Sequence, residues 1–389
     1  PGTGIRRIPN PMSHRVRHVP FAQRRLAPLL ARFRGLGPRL ARWESAAVMD
    51  RIGDLESQTP VWICGMARSG STILLHMLDA LPSFTTHRYS DYPWVWTPYW
   101  WNHLYARLPL APARKQERAH RDAIEVTPQS PEAFEEMFWM HFFSGRHDPA
   151  ISQVLDGETH NEEFQRFFDQ HQRKLLAIRG ARRYLAKANY QLARLGYLHR
   201  LYPKARFVIP VRNPRAQVDS LIRQDDLFCR LNCEDSAVGA HMARIGHFEF
   251  GAQKRVFNMG DDRETQAIAA AFSRGDRIEA YARQWAAQYG CALQRLAHDP
   301  ALADACLWIE HERLCRNPRT ELARLGAHLH LDASDAQRLQ EQGADQIHQA
   351  PASAFESGTL SSDETAPWTS TVWASVQEWA SRPANPHYS

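Results

Sequence analysis

The run Pro60-Val61-Trp62-Ile63-Cys64 constrains this chain most, because a short β-branched and aromatic segment that halts at Gly65 belongs inside a fold. A Ser/Gly cluster follows, then Ile73-Leu74-Leu75-His76-Met77-Leu78 runs up to Pro82. The order reads as buried strand, tight loop, helix. A second unit repeats it. Arg206-Phe207-Val208-Ile209-Pro210-Val211 is rich in β-formers, and Pro214 stands where a helix through Ile222 has its first residue. A third strand, Cys306-Leu307-Trp308-Ile309, precedes a helix capped at Asn317 with Pro318 at its first position. Strands alternating with helices predict a parallel sheet. At about 150 residues per domain, the 389 residues allow two to three domains, or one large α/β domain carrying insertions.

The net charge of +6 raises the question of a nucleic-acid partner, so its distribution matters. Residues 1–45 hold ten arginines against the single acid Glu44, which is +9 and leaves −3 for the rest. A basic arm on a nearly neutral body weakens the inference from global charge to nucleic acid. Leucines and arginines alternate from Phe21 to Trp43; we read a helix packed on the body with its arginines in water, with peripheral membrane contact through residues 1–45 as the alternative. Met12 reads as a natural start after a leader of residues 1–11. No apolar run reaches the ~18 residues of a membrane crossing, and the N-terminus lacks a signal-peptide core. The six cysteines are scattered and form no disulfide framework. The expectation is a cytoplasmic protein.

Between the first two strand units the chain changes character. Residues 89–105 carry Tyr89, Tyr92, Trp94, Trp96, Tyr99, Trp100, Trp101 and Tyr105. One helix is expected from Pro131 with acids in its first turn, Glu132, Glu135 and Glu136. Another is expected after the capping-box spacing Thr159 to Glu162, with Phe164, Phe167, Phe168, His171 and Leu175 as its apolar stripe. This reads as a helical insertion over the sheet at 86–180, a natural acceptor wall. The boundaries drawn are an N-terminal arm at 1–57, a catalytic domain at 58–370 and a C-terminal tail at 371–389.

The chemistry centres on Gly65-Met66-Ala67-Arg68-Ser69-Gly70-Ser71-Thr72, directly after a strand and opening a helix. Glycine lets backbone N–H groups approach an anion, the helix start offers unpaired donors, and Ser69, Ser71 and Thr72 add hydroxyls. The Walker A pattern fails, because Gly70 stands where its lysine would be and the cation is Arg68. None of the three strands ends in a magnesium-holding acid. In the second unit Arg212 closes a strand and Ser220 lies on the next helix, positions from which the two can converge on a second phosphate beside the first loop. Two anion sites suggest a nucleotide phosphorylated at two positions.

At this point the chain resembles the PAPS-dependent sulfotransferases over roughly residues 58–330. Arg68-Ser69-Gly70-Ser71-Thr72 is similar to their 5′-phosphosulfate loop, and Arg212-x-Pro214 through Ser220 to their 3′-phosphate element. Ile309-Glu310-His311-Glu312-Arg313-Leu314 is similar to a later segment near the adenine, with His311 in place of the usual tyrosine. The resemblance implies a P-loop-like parallel sheet flanked by helices, and transfer of a sulfuryl group from 3′-phosphoadenylyl sulfate (PAPS) to an acceptor hydroxyl or amine. It implies no metal. The leaving group is a phosphate oxygen of adenosine 3′,5′-bisphosphate, so Arg68 and the loop N–H groups would stabilise the charge developing there. For the general base, the acid nearest the family's position is Asp91, with His87 just before it. Lys187, in Tyr184-Leu185-Ala186-Lys187-Ala188-Asn189, resembles a lysine expected to hold the sulfuryl oxygens or the acceptor.

Other constellations are weaker. Cys229-x3-Cys233 with His241 and His247 is a poor zinc spacing, and no metal is expected. The partner expected is a small-molecule or glycan acceptor, with no nucleic acid; the oligomeric state is open. The competing readings are a kinase or NTPase with a degenerate P-loop, and a basic nucleic-acid or membrane-binding protein working through residues 1–45.

Overall fold

The computed structural model describes residues 35–109, 115–118, 120, 124–349 and 360–383, with Arg24, Pro28 and Arg32 ahead of them. Five strands, β1 (Val61–Cys64), β2 (Phe84–Thr85), β3 (Arg183–Ala188), β4 (Arg206–Val211) and β5 (Cys306–Glu310), form one sheet in the order β2-β3-β1-β4-β5. Every pairing in it is parallel, with Ile63 opposite Lys187 on one side and Val208 on the other. The expected α/β sheet therefore forms, with two strands the sequence reading lacked, β2 and β3.

Alternation along β1 divides the core in two. Val61 and Ile63 join Leu185, Val208, Leu307 and the α2 residues Leu74, Leu75 and Leu78 on one face, α2 being Ser71–Asp79. Trp62 and Cys64 join Tyr184, Phe207 and Trp308 on the other. That second face is covered by helices α4 (Glu162–Arg179), α7 (Arg277–His298) and α8 (Ser362–Ser381) through Phe168, Trp285 and Val376. Covering both faces makes β1 apolar throughout, the pattern that announced it.

The insertion is present but its helices begin elsewhere than expected. Helix α3 spans Glu136–Phe142, while Pro131 bridges to Arg88 in extended backbone, so Glu132 and Glu135 precede the helix. The cap of α4 is Asn161, whose side chain accepts from the Phe164 N–H at 2.9 Å; Thr159 is occupied by Asp156 instead. Of the aromatic belt Tyr92 and Tyr99 are buried, Trp100 is exposed and the other five are half-buried. Trp96 packs on Phe138 and Phe167, with ring centroids 4.9 and 5.3 Å away. The 371 boundary falls inside α8, whose Val376 and Ala380 are buried, so this end is part of the core and not a tail.

The N-terminal boundary also moves. Residues 1–23 lie outside the described residues, and so does most of the alternating Leu/Arg pattern. Helix α1 (Leu36–Ala47) is anchored, because Lys174 Nζ of α4 donates to Glu44 Oε2 at 2.9 Å and to the Ala41 carbonyl at 3.2 Å. Both charges are fully enclosed. Glu44 Oε1 also accepts the Trp100 N–H at 2.7 Å. Cutting the chain after residue 45 would leave Lys174 buried without its counter-charge.

Two adjacent carboxyls fasten the insertion to the sheet. Glu135 accepts from Tyr184 Oη at 2.7 Å, Gln191 Nε2 at 2.7 Å and Trp62 Nε1 at 3.2 Å, all neutral donors. Glu136 is held by both terminal nitrogens of Arg194, at 2.8 and 2.7 Å, and faces His147 Nε2 at 2.7 Å. Their acidities diverge accordingly. Burial pushes Glu135 up to about 7 despite its hydrogen bonds, whereas Arg194 and His147 outweigh burial at Glu136 and bring it down to about 2.

Two outcomes follow from these buried charges. Lys174→Met should lower unfolding free energy in a urea titration by about 3–5 kcal/mol, the cost of stranding a buried partner; a loss under ~1 kcal/mol would mean the pair is solvated. Glu135 has a folded pKa raised above its ordinary 4.5, so its contribution is full below 4.5 and is lost as pH rises through about 7. The stability of the wild-type chain relative to Glu135→Gln should therefore fall by about 3 kcal/mol across that window. A pH-independent difference would remove the proton uptake.

Candidate active site

The loop after β1 crosses the carboxyl edge of the sheet and enters α2 at Gly70, whose φ of 94° places it in the left-handed region. No side chain caps this helix, so its first N–H groups are left for a ligand. A Cβ at Gly70 would fall 2.9 Å from His311 Nδ1, which puts the third motif directly against the loop. Arg68 also has positive φ, 69°. The loop is braced from beneath: Gln217 Nε2 donates to the Ala67 carbonyl at 2.9 Å, and Trp285 Nε1 donates to Gln217 Oε1 at 3.0 Å.

The second motif meets the first. Helix α5 (Pro214–Glu234) starts at Pro214, with Asn213 as cap accepting the Arg215 N–H. It carries Ser220 to Arg68, whose Nε donates to Ser220 Oγ at 3.0 Å across 152 residues of sequence. Arg212 is buried at the end of β4. Burial lowers its pKa, Glu312 opposes that, and Arg68 adds to it as a neighbouring cation. Glu312 Oε1 accepts the Asn213 N–H at 3.0 Å, fastening the segment after β5 to the second motif.

Lys187, near the end of β3, belongs to the same centre. It is buried, and its pKa is lowered by desolvation and by the charges of Arg118 and Arg68, against the pull of Glu132 and Glu249. Arg118 reaches Thr72, Nη1 to Oγ1 at 3.5 Å. The sequence reading missed Arg118, and no local pattern marks it. The structure thus gathers Arg68, Ser69, Gly70, Ser71, Thr72, Lys187, Arg212, Ser220 and His311. Several cations confined together, with an uncapped helix start, fit a ligand carrying several negative charges.

Asp91 and His87 are both enclosed. Asp91 is fully buried and accepts from Arg179 Nη2 at 3.1 and 3.0 Å, from Asn102 Nδ2 at 3.0 Å and from the Arg88 N–H at 2.8 Å. Burial alone would raise its pKa, but His87 and Arg179 hold it well below the usual carboxylate range. Such a group is a poor proton acceptor. His87 is enclosed too, its Nε2 3.1 Å from His171 Nε2, and burial lowers its pKa. Their partners Arg179, Asn102, Arg88 and His171 all lie within the insertion, so Asp91 and His87 brace it internally.

A small pocket beside the loop is lined by Met66, Ala67, Asn189, Glu249, Phe257 and Tyr281, among others. Its walls come from the loop, the end of β3, and residues 249–257, a segment the sequence reading left unassigned. Among the described residues no cluster of three or more His, Cys, Asp or Glu side chains is arranged to hold a metal ion, and all six cysteines are free thiols. No described helix is long and apolar enough to cross a membrane.

Residues 60–228 match the model of the sulfotransferase family, a span that includes both the Arg68 loop and the Arg212–Ser220 element, so the resemblance read from those motifs is borne out. A search of curated proteins finds no match. Among solved structures the chain is similar to a sulfotransferase from Mycobacterium avium, with 12% identity, 85% of this chain and 80% of that one covered, and a TM-score of 0.47. A sulfotransferase from Mycobacterium tuberculosis H37Rv matches at 15% identity, covering 89% of this chain and 86% of that one, with a TM-score of 0.45. One from Alicyclobacillus acidocaldarius matches at 15% identity, 83% and 96% coverage, and a TM-score of 0.38.

If Asp91 is an anchor, Asp91→Asn should lower the melting temperature by several degrees, because a buried ion pair loses one partner. The affinity of the folded variant for an anionic ligand at the loop, read by calorimetry, should stay within about twofold of the wild-type value. An unchanged melting temperature would return Asp91 to the catalytic candidates.

Proposed function

Taking residues 60–228 as a sulfotransferase segment, we propose that this protein transfers a sulfuryl group from PAPS to a hydroxyl or amine of a small-molecule or glycan acceptor. The observation that carries the reading is the Arg68–Ser220 hydrogen bond at 3.0 Å, which brings two separately recognisable anion-binding elements to one centre. A donor with phosphate at both ends of its ribose requires such a pair.

In this reading the N–H groups at the start of α2, with Ser69, Ser71 and Thr72, hold the 5′-phosphosulfate. Arg212 and Ser220 hold the 3′-phosphate, and His311 lies beside the nucleotide against Gly70. Arg68, half-buried and held to Ser220, stabilises negative charge as it develops on the bridging oxygen. Lys187 and Arg118 neutralise the sulfuryl oxygens or the acceptor. The acceptor occupies the pocket between Asn189, Glu249 and the loop. The free thiols agree with a cytoplasmic setting.

Calorimetric titration with adenosine 3′,5′-bisphosphate tests the reading, and Arg212→Ala sharpens it. The wild-type chain should bind the bisphosphate with micromolar affinity without magnesium. The variant should lose about 1.5–3 kcal/mol, the worth of a charge-assisted hydrogen bond, which is roughly ten- to a hundredfold in affinity. Equal affinity in the two proteins would remove Arg212 from the site, and preference for ATP with magnesium would replace the sulfotransferase reading by that of a kinase.

A further inference from the structure

With Asp91 committed elsewhere, proton transfer from the acceptor needs another group. The turn after helix α6 (Ala237–Ile245) supplies one. The chain leaves α6 through Gly246, in the left-handed region at φ 86°, and the His247 N–H donates back to the Met242 carbonyl at 2.9 Å. The following residues are pinned: the Phe248 N–H donates to Tyr190 Oη at 2.9 Å and the Gly251 N–H to Asp225 Oδ1 at 2.8 Å. His247 Nδ1 faces both oxygens of Glu249, at 3.2 and 3.3 Å. Glu249 in turn accepts from Asn189 Nδ2 at the end of β3, and its backbone carbonyl accepts from Tyr281 Oη at 3.3 Å. Asn189 and Glu249 both line the pocket beside the Arg68 loop.

We propose that His247 is the general base that activates the acceptor, with Glu249 and Asn189 as the residues that position its ring. The inference rests on the sulfotransferase reading of the site. Nδ1–H held against the Glu249 carboxylate leaves Nε2 as the basic nitrogen. As the acceptor oxygen attacks sulfur, Nε2 takes its proton, the S–O bond to the 5′-phosphate breaks, and that electron pair leaves on the phosphate oxygen of adenosine 3′,5′-bisphosphate. The imidazolium formed beside Glu249 gives its proton to water after the sulfated product departs.

Charges from every side bear on the ring. Burial would lower its pKa, but Glu249 on its own turn and Glu132 ahead of α3 outweigh burial and Lys187 on β3, and the net direction is upward. His241 on α6 also feels the ring's charge. Glu132, the other acid here, is a weaker candidate: its Oε1 accepts the Ala133 N–H at 2.7 Å, and Lys187 and Tyr89 overcome burial to hold its pKa below the ordinary value.

The test compares the wild-type chain with His247→Gln and Glu249→Gln. Consumption of labelled PAPS is followed with 4-nitrophenol as acceptor and with water alone, after bisphosphate affinity has been measured in each protein. His247→Gln should keep bisphosphate affinity within about twofold, lose at least a hundredfold in kcat as befits a lost general base, and regain part of it with added imidazole. The wild-type kcat should rise with pH through a midpoint above the ordinary histidine value of 6.5. In Glu249→Gln that midpoint, read independently by NMR titration of the ring, should move down. Equal PAPS consumption in wild type and His247→Gln, or a ring midpoint indifferent to Glu249→Gln, overturns the proposal while leaving the donor site standing. Absence of bisphosphate binding by the wild-type chain overturns the donor reading and the base with it.

Discussion

Two neighbouring carboxyl groups beneath the sheet, Glu135 and Glu136, hold the inserted segment where the rest of the site needs it. Glu135 reaches β1 and β3 through Trp62 and Tyr184, and Glu136 closes on Arg194 and His147. A buried charge stripped of its partner costs several kcal/mol, so the insertion cannot lift from the sheet without breaking both sets of contacts. The same anchor extends to the turn that carries His247. A Cβ on Gly246 would collide with the Glu136 side chain, so the helix end rests directly on the ion pair. Wall, sheet and proposed base therefore share one fixed point, set by charge as much as by the phenylalanines around it.

Around the loop the electrostatics run the other way. Arg68, Arg118, Lys187 and Arg212 are brought within reach of one another's fields, and burial lowers the pKa of both Lys187 and Arg212. Their mutual repulsion would be relieved by the multiply charged donor of the proposed reaction. The framework that withstands the repulsion is neutral. Trp285, Gln217 and the Ala67 carbonyl form a chain of hydrogen bonds from α7 into the loop, and Tyr289 Oη donates to the Pro210 carbonyl at 3.0 Å beside it. Neutral donors are suited to this task because they brace the backbone without screening the cations.

What was legible in the sequence was local. β1, β4 and β5 announce themselves because both faces are covered and the run is apolar, and the loop after β1 and the start of α5 carry glycine, hydroxyls and proline at positions that backbone geometry dictates. β3 escaped because Arg183 and Lys187 interrupt it. Arg183 is nevertheless buried, its Nε donating to the Thr59 carbonyl at 3.0 Å and Nη1 to the Leu329 carbonyl at 2.8 Å. The partner of Asp91 was illegible for the converse reason: nothing in its neighbours tells that Arg179, 88 residues on, will pair with it. Arg118 and the His247–Glu249 pair belong to the same class. Arg118 meets Thr72 across 46 residues, and Glu249 meets Asn189 across 60, so neither contact leaves a local pattern.

Arg68 joins the local and the remote. A non-glycine residue at φ 69° bears a cost of order 1–2 kcal/mol, which a chain selected for stability alone would shed by placing glycine there. Here the conformation is retained with a large charged side chain, because that backbone turns the guanidinium toward α5. Ser220 then meets Nε, so the strained residue is also the one that couples the two anion-binding elements. Relaxing φ would swing the cation away from Ser220 and separate motifs that are 152 residues apart in sequence. The strain at Arg68 is thus tied to the contact on which the proposed two-ended grip of the donor depends.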